Sequence, residues 1–221
     1  CWNEEIRHKI LNRLDTNDEI REAAEILERV RQPYAFDYIL GIPRLPITES
    51  DGSTRPLTKE ESLRSINQEL FEFTEFLVPL KYCYRIAPFM LQYMPGTEMI
   101  EHGLVSGEIS PEEVKRIDAG FHENYMSGGS IAIEKDRLRL LNGYRVLLRL
   151  MSILSPSGKK VLLRWKAYKI FWMAPFRLFI SFLDLAIAIR DKDATTYCKN
   201  YWWWFKKRFD KNYHLYYFKK S

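Results

Sequence analysis

The sequence predicts an α/β fold followed by an all-helical extension, and three observations carry that prediction. Helical and strand-like periods alternate through the first half, no strand period returns after about Ser110, and the charge changes sign between the halves. Residues 1–133 hold 14 Lys and Arg against 23 Asp and Glu, a net of −9, whereas residues 134–221 hold 20 against 6, a net of +14. Such a split implies two parts with different surroundings. The basic half suits an anionic membrane surface, nucleic acid or the acidic half itself, and charge alone does not choose among them. With 46% hydrophobic and 29% charged residues in 221, the chain can bury a sizeable core and is neither disordered nor low in complexity.

Asn17-Asp18-Glu19 predicts a cap and an acidic first turn for a helix running to about Gln32, with Ile20, Ala23, Ala24, Leu27 and Val30 as its buried stripe. Pro33 ends it. Ala35–Leu40 is a short, mostly apolar run that reads as a strand closing at Gly41. A loop with Pro43, Pro46, Gly52 and Pro56 follows. Thr58-Lys59-Glu60-Glu61 is a capping box, and Leu63, Ile66, Leu70, Phe73 and Leu77 continue a second amphipathic helix. Tyr82–Tyr93 reads as another strand, leading into Met94-Pro95-Gly96-Thr97. Helix, strand, helix, strand in units of this size predicts parallel β/α winding.

Beyond Ser110 the expected elements are all helical. They are a polar helix over Glu112–His122, a long helix over Glu134–Leu154, and stretches over Lys159–Arg190 and Ala194–Phe209, the former interrupted at Pro175. Ser127–Ser130 is expected to be a loop, and Ser155-Pro156-Ser157-Gly158 to break the chain. The expected division is therefore residues 1–110 and 111–221.

Absences narrow the chemistry. Cys1, Cys83 and Cys198 are odd in number and far apart, which argues against a disulfide framework and fits a reducing cytoplasm. Cys83 and Cys198 read as buried small hydrophobes rather than ligands. No metal site is predicted, because His8, His102, His122 and His214 are scattered and no CxxC spacing occurs. Phosphate loops of the GxGxxG or Walker type are missing, as is an apolar leader or a stretch long enough to span a bilayer.

Three motifs stand in a telling order: Asn3-Glu4-Glu5-Ile6-Arg7 running to Leu11-Asn12-Arg13, then Phe36-Asp37-Tyr38-Ile39-Leu40-Gly41-Ile42-Pro43, then Met94-Pro95-Gly96-Thr97-Glu98-Met99. Together they resemble the middle of the radical S-adenosylmethionine enzymes, and most of all the oxygen-independent coproporphyrinogen oxidases and the cobalamin-binding-type members. The likeness covers about residues 1–110. It implies that these residues are the distal part of a (β/α) partial TIM-type barrel, with the helical extension behind it. It also implies S-adenosylmethionine and a [4Fe–4S] cluster as cofactors, with cobalamin as a further one.

By the same resemblance four residues contribute to the S-adenosylmethionine pocket. Arg13 would meet the methionine carboxylate, Asp37 would face the nucleoside portion, and Ile39 and Gly41 would lie against the adenine. Each has a plainer reading: a solvated helix-end arginine, an edge or pairing carboxylate, a strand residue and a turn glycine. The CxxxCxxC loop that would hold the cluster is absent, as is the glycine-glycine-glutamate stretch for the amino group of the cofactor. The chain therefore reads as a carboxyl-terminal fragment whose partner is the upstream part of the same polypeptide, inactive by itself, with no catalytic residue assigned and an unknown substrate.

The basic tail interleaves Lys159, Lys160, Arg164, Lys166 and Lys169 with Trp165, Tyr168, Phe171 and Trp172, and Trp202–Phe205 with Lys206-Lys207-Arg208. Packing against the rest of the protein, docking on an anionic membrane surface and, less favoured, stacking on single-stranded nucleic acid all fit that composition. The alternative to the enzyme is accordingly a non-enzymatic helical module that docks on a membrane or a protein partner.

Overall fold

Three helices begin where a hydroxyl side chain precedes a glutamate by three residues. A computed structural model describes residues 1–119, 134–173, 182–187, 189 and 202, and the capping boxes in it are Thr16 with Glu19, Thr58 with Glu61, and Ser110 with Glu113. In each, the hydroxyl accepts from the glutamate N–H while the carboxylate accepts from the cap N–H, satisfying two otherwise orphaned donors. The chain divides into two compact units, Cys1–Phe176 and Arg177–Ser221. The expected boundary at residue 110 lies inside the first unit.

In the first unit the order is α1 (Glu4–Lys9), α2 (Asn17–Arg29), β1 (Tyr34–Leu40), β2 (Ile47–Thr48), β3 (Thr54–Arg55), α3 (Lys59–Leu77), β4 (Cys83–Met90), α4 (Glu98–Val105), α5 (Pro111–Asp118), α6 (Lys135–Met151), α7 (Pro156–Arg164) and α8 (Tyr168–Phe171). Strands β1 and β4 pair in parallel, Phe36 opposite Ile86 and Leu40 opposite Met90, with α3 as the crossover between them. The expected parallel β/α unit is present, and the protein is mixed α/β. The described residues form this two-stranded parallel sheet and one short antiparallel pair, β2–β3, within the expected proline-rich loop.

One face of the sheet is closed. Phe36, Tyr38 and Leu40 from β1 and Cys83, Ile86 and Met90 from β4 pack with Ile66, Leu70, Phe73 and Leu77 of α3 and with Leu141, Tyr144 and Leu147 of α6. Phe73 is the centre of an aromatic group, with its ring stacked on Tyr38 at 4.3 Å and tilted against Trp2 at 5.5 Å. Helix α6 approaches α8 so closely that a Cβ on Gly143 would stand 2.1 Å from the Tyr168 carbonyl oxygen. Glycine is required there by space, and Tyr144 stacks on Tyr168 beside it at 4.3 Å. Lys159 is buried and its Nζ donates to the carbonyls of Leu77 and Leu80, covering the carboxyl end of α3.

Several boundaries differ from expectation for local reasons. The second helix is capped by Thr16, not by Asn17, and ends at Arg29, with Arg31 at φ 58° turning the chain before Pro33. Of its expected stripe only Ala24 is buried, while Ala23 and Val30 are exposed. Ser155 starts a helix instead of breaking one. Its hydroxyl accepts from Gly158 N–H, and Pro156 occupies the first turn, where its missing N–H costs nothing. The expected helical stretch from Lys159 starts as α7 and α8, separated where Lys166 adopts φ 49°, and is helical again over residues 182–187, while its interruption at Pro175 lies outside the described residues. The loop over Ser127–Ser130, Cys198 and, apart from Trp202, the expected helix over Ala194–Phe209 lie outside the described residues. Among the described residues no helix is long and apolar enough to cross a membrane.

Candidate functional site

Alternation along a strand sends successive side chains to opposite faces. In β1, Phe36, Tyr38 and Leu40 enter the helix-covered core, so Ala35, Asp37 and Ile39 belong to the other face. The register sets Arg85, Ala87 and Phe89 of β4 beside them. Ala35, Asp37, Arg85 and Phe89 are exposed on this face. A parallel pair is ordinarily covered on both faces; among the described residues the second face here is covered at Ala87 and in part at Ile39, and is otherwise exposed.

The Asp37 carboxylate is therefore not sunk in a greasy interior. It lies in solvent, needs no compensating partner, and among the described residues has none. Ile39, two residues further, is half covered by α1 in a cluster with Ile6, Ile10 and Ile42. Gly41 follows the strand at φ 80°, a left-handed conformation that favours glycine. A Cβ at this position would meet Met90 Cε at 3.8 Å and Leu141 Cδ1 at 3.9 Å, which is ordinary contact. Backbone conformation, not lack of room, calls for glycine at 41.

Arg13 lies in the loop between α1 and α2, exposed and, among the described residues, without a side-chain partner. The loop itself is firmly held. Asn12 turns at φ 50°, Arg13 N–H donates to the Arg7 carbonyl at 3.1 Å, and the buried Arg7 guanidinium ties its two ends. Arg7 Nε donates to the Asp15 carbonyl at 2.8 Å and pairs with the Asp15 carboxylate at 3.1 Å, while Nη1 reaches the Cys1 carbonyl and Asn17 Oδ1, each at 3.0 Å. Because α1 packs on Ile39 and Ile42, this loop belongs to the carboxyl end of β1. Asp37, Ile39 and Gly41 share one strand and its exit, and Arg13 lies in the loop after α1, the helix packed on Ile39 and Ile42.

Under this end of the sheet lies a buried polar network that the sequence reading did not select. Glu69 of α3 accepts from the Tyr38 hydroxyl at 2.6 Å and Trp2 N–H at 2.9 Å through Oε1, and from Arg44 Nη1 at 2.5 Å through Oε2. Burial pushes the Glu69 carboxyl up, but the Arg44 charge and the hydrogen bonds from Tyr38 and Arg44 outweigh it and hold it below the ordinary range. The Tyr38 hydroxyl is driven well above its ordinary value by burial and by the adjacent Glu69 charge. Arg44 N–H also donates to Glu108 at 3.2 Å, and Glu108 pairs with Arg137 of α6 at 2.7 Å. The segment after Gly41 is thus held by α3 on one side and by α6, through Glu108, on the other.

Glu69 could have been found in the sequence. It stands three residues after Ile66 and four before Phe73, a charge inside the apolar stripe of α3. Arg44, Glu108 and Arg137 carry no comparable local signal. Every oxygen of Glu69 is already engaged, so the network positions the strand exit, whereas Arg13 and Asp37 remain able to accept a ligand.

Among the described residues no group of three His, Cys, Asp or Glu could hold a metal ion. Comparison with protein-family models, with curated proteins and with solved structures finds no match to this chain.

Proposed function

We propose that this chain is the distal part of a radical S-adenosylmethionine enzyme, with β1 and β4 as two strands of its partial barrel and the open sheet face as part of the cofactor pocket. The observation that carries the reading is the parity of β1. The strand turns Phe36 and Tyr38 to α3 and α6 and turns Asp37 and Ile39 to the opposite side, where Asp37 is exposed, leading to Gly41 at the carboxyl end, where parallel β/α folds bind their ligands.

The donor set suits the cofactor. A carboxylate accepts from both hydroxyls of a ribose, a guanidinium pairs with an amino-acid carboxylate, and an isoleucine beside a glycine offers an apolar surface to a flat base. On this reading Asp37 holds the ribose, Arg13 the methionine carboxylate, and Ile39 and Gly41 the adenine. S-adenosylmethionine, when bound, supplies the sulfonium C–S bond whose reductive cleavage begins the radical modification of a substrate in this family. The described residues do not fit a [4Fe–4S] cluster, and the reading assigns its ligands to a CxxxCxxC upstream of residue 1 in a longer polypeptide. Cobalamin, implied by the same resemblance, has no residue assigned to it here.

The test is Asp37→Asn in the complete polypeptide, with S-adenosylmethionine titrated by equilibrium dialysis. Loss of charge-assisted hydrogen bonds weakens binding by about tenfold or more. An unchanged dissociation constant removes Asp37 from the pocket. A reading frame that opens at Cys1, with no upstream cysteine loop, removes the enzyme itself.

A further inference from the structure

The residues of α7 and α8 that face away from the core carry an uncompensated mixture of charge and apolar surface. The 47 residues from 137 to 183 contain ten Lys and Arg and no Asp or Glu. Some of these cations have internal duties, such as Lys159 on the α3 carbonyls and Arg137 on Glu108. Lys160, Arg164, Lys166 and Lys169 do not. All four are exposed, and among the described residues none has an ion-pair partner. Several cations elsewhere in the first unit are matched, Lys9 with Glu5, Arg21 with Asp18, half-buried Arg55 with Glu49 and Glu61, and Lys59 with Asp136, although others such as Arg13 and Arg85 are exposed without an ion pair among the described residues.

Helical spacing sorts this surface. Leu163, Ala167 and Tyr168 are buried, which leaves Val161 and Trp165, one turn apart, at 45% and 71% exposure. Lys160 and Arg164 form the neighbouring row. Past the Lys166 turn, Ile170 and Met173 are exposed by 57% and 63% beside Lys169. We propose that this α7–α8 surface docks on an anionic lipid bilayer, its four free cations meeting headgroup phosphates and carboxylates while Val161, Trp165, Ile170 and Met173 enter the headgroup boundary.

The apolar members select the partner. Cations alone would serve any polyanion, but aliphatic side chains gain nothing from a phosphate backbone and do gain from burial at the acyl boundary. An indole favours the interface, with its ring at headgroup depth. Single-stranded nucleic acid calls for rings set to stack successive bases along a groove. Here Trp165 is 71% exposed and the second exposed indole, Trp172, already lies against the Arg139 guanidinium at 4.5 Å, so the free ring stands among aliphatic side chains on short helices. The surface goes beyond the cofactor reading and does not depend on it.

Co-sedimentation of the full chain with vesicles tests the proposal, comparing phosphatidylcholine alone with phosphatidylcholine containing phosphatidylserine. Binding is expected to require the anionic lipid and to weaken with salt, because exposed charges are screened. Lys160→Gln and Lys169→Gln are each expected to weaken it about fivefold, and together about 25-fold. Trp165→Ala is expected to weaken binding while leaving its salt dependence in place. These residues are exposed, so the far-ultraviolet circular dichroism of each variant should match that of the parent. Three results would overturn the proposal: no binding to the anionic vesicles, equal binding to both lipids unaffected by the lysine changes, or displacement from the vesicles by single-stranded oligothymidylate at equal charge.

Discussion

The two faces of the β1–β4 sheet are built from the same alternating residues, yet they do opposite things. On the closed face Phe36, Tyr38, Leu40, Ile86 and Met90 lie under α3 and α6, and the buried Glu69 carboxylate there accepts from three donors. On the open face Asp37 and Arg85 are exposed, Phe89 keeps 40% of its surface in solvent, and Asp37 has no partner among the described residues. The closed face holds the fold together. The other, covered among the described residues only at Ala87 and in part at Ile39, retains the exposed functional groups that a ligand could use.

That contrast can be broken from the inside first. Phe73→Ala removes the ring against which Tyr38, Trp2 and Phe36 pack, in a residue only 2% exposed. A loss of about 3–5 kcal/mol in urea unfolding is expected. A loss below about 1 kcal/mol would mean that the closed face is not the core.

Glu69→Gln comes next, at about 3 kcal/mol, because it leaves Arg44 buried without its counter-charge. Its pH dependence has a definite sign. The folded Glu69 carboxyl is held below its ordinary value of 4.5, so its stabilisation is complete above that pH and is lost as pH falls through the folded value. Denaturant midpoints of parent and variant should therefore differ by a constant amount above about pH 5 and converge in acid. A gap independent of pH would show that the carboxylate charge is not what holds the strand exit.

The smallest effect sharpens the comparison most. Asp37→Asn should shift unfolding by no more than about 0.5 kcal/mol, since an exposed side chain with no partner among the described residues has little to lose. Near-neutral stability combined with weakened S-adenosylmethionine binding would separate the two faces by function. A stability loss comparable to that of Glu69→Gln would place Asp37 in the structural network instead.

Much of the scaffold was legible from local chemistry. The Thr58–Glu61 box, the apolar period of α3 and the β-rich runs around Phe36 and Ile86 each rest on neighbours within a few residues, and the elements formed where those signals stand. The exceptions were local as well: Ser155-Pro156 reads as a break or as a helix start by the same letters, and only the helix that follows resolves it. The candidate site was less legible. Asp37, placed in an apolar strand, left a ligand-facing group and an edge or pairing carboxylate as alternatives, and alternation puts it on the face away from α3 and α6, exposed. The carboxylate that is buried is Glu69, matched by Arg44 from 25 residues earlier in the chain.

By itself the sequence determined α2, α3, α5 and α6, the two parallel strands, the charge asymmetry and the motif order behind the cofactor reading, because each depends on spacing along the chain. Only the tertiary structure decided which face of β1 is closed, that Arg44, Glu69, Glu108 and Arg137 meet beneath its exit, and that Lys160, Arg164, Lys166 and Lys169 have no ion-pair partner among the described residues. Those facts depend on which surfaces exclude water and which charges come within a few ångströms, and long-range packing, not local order, sets both.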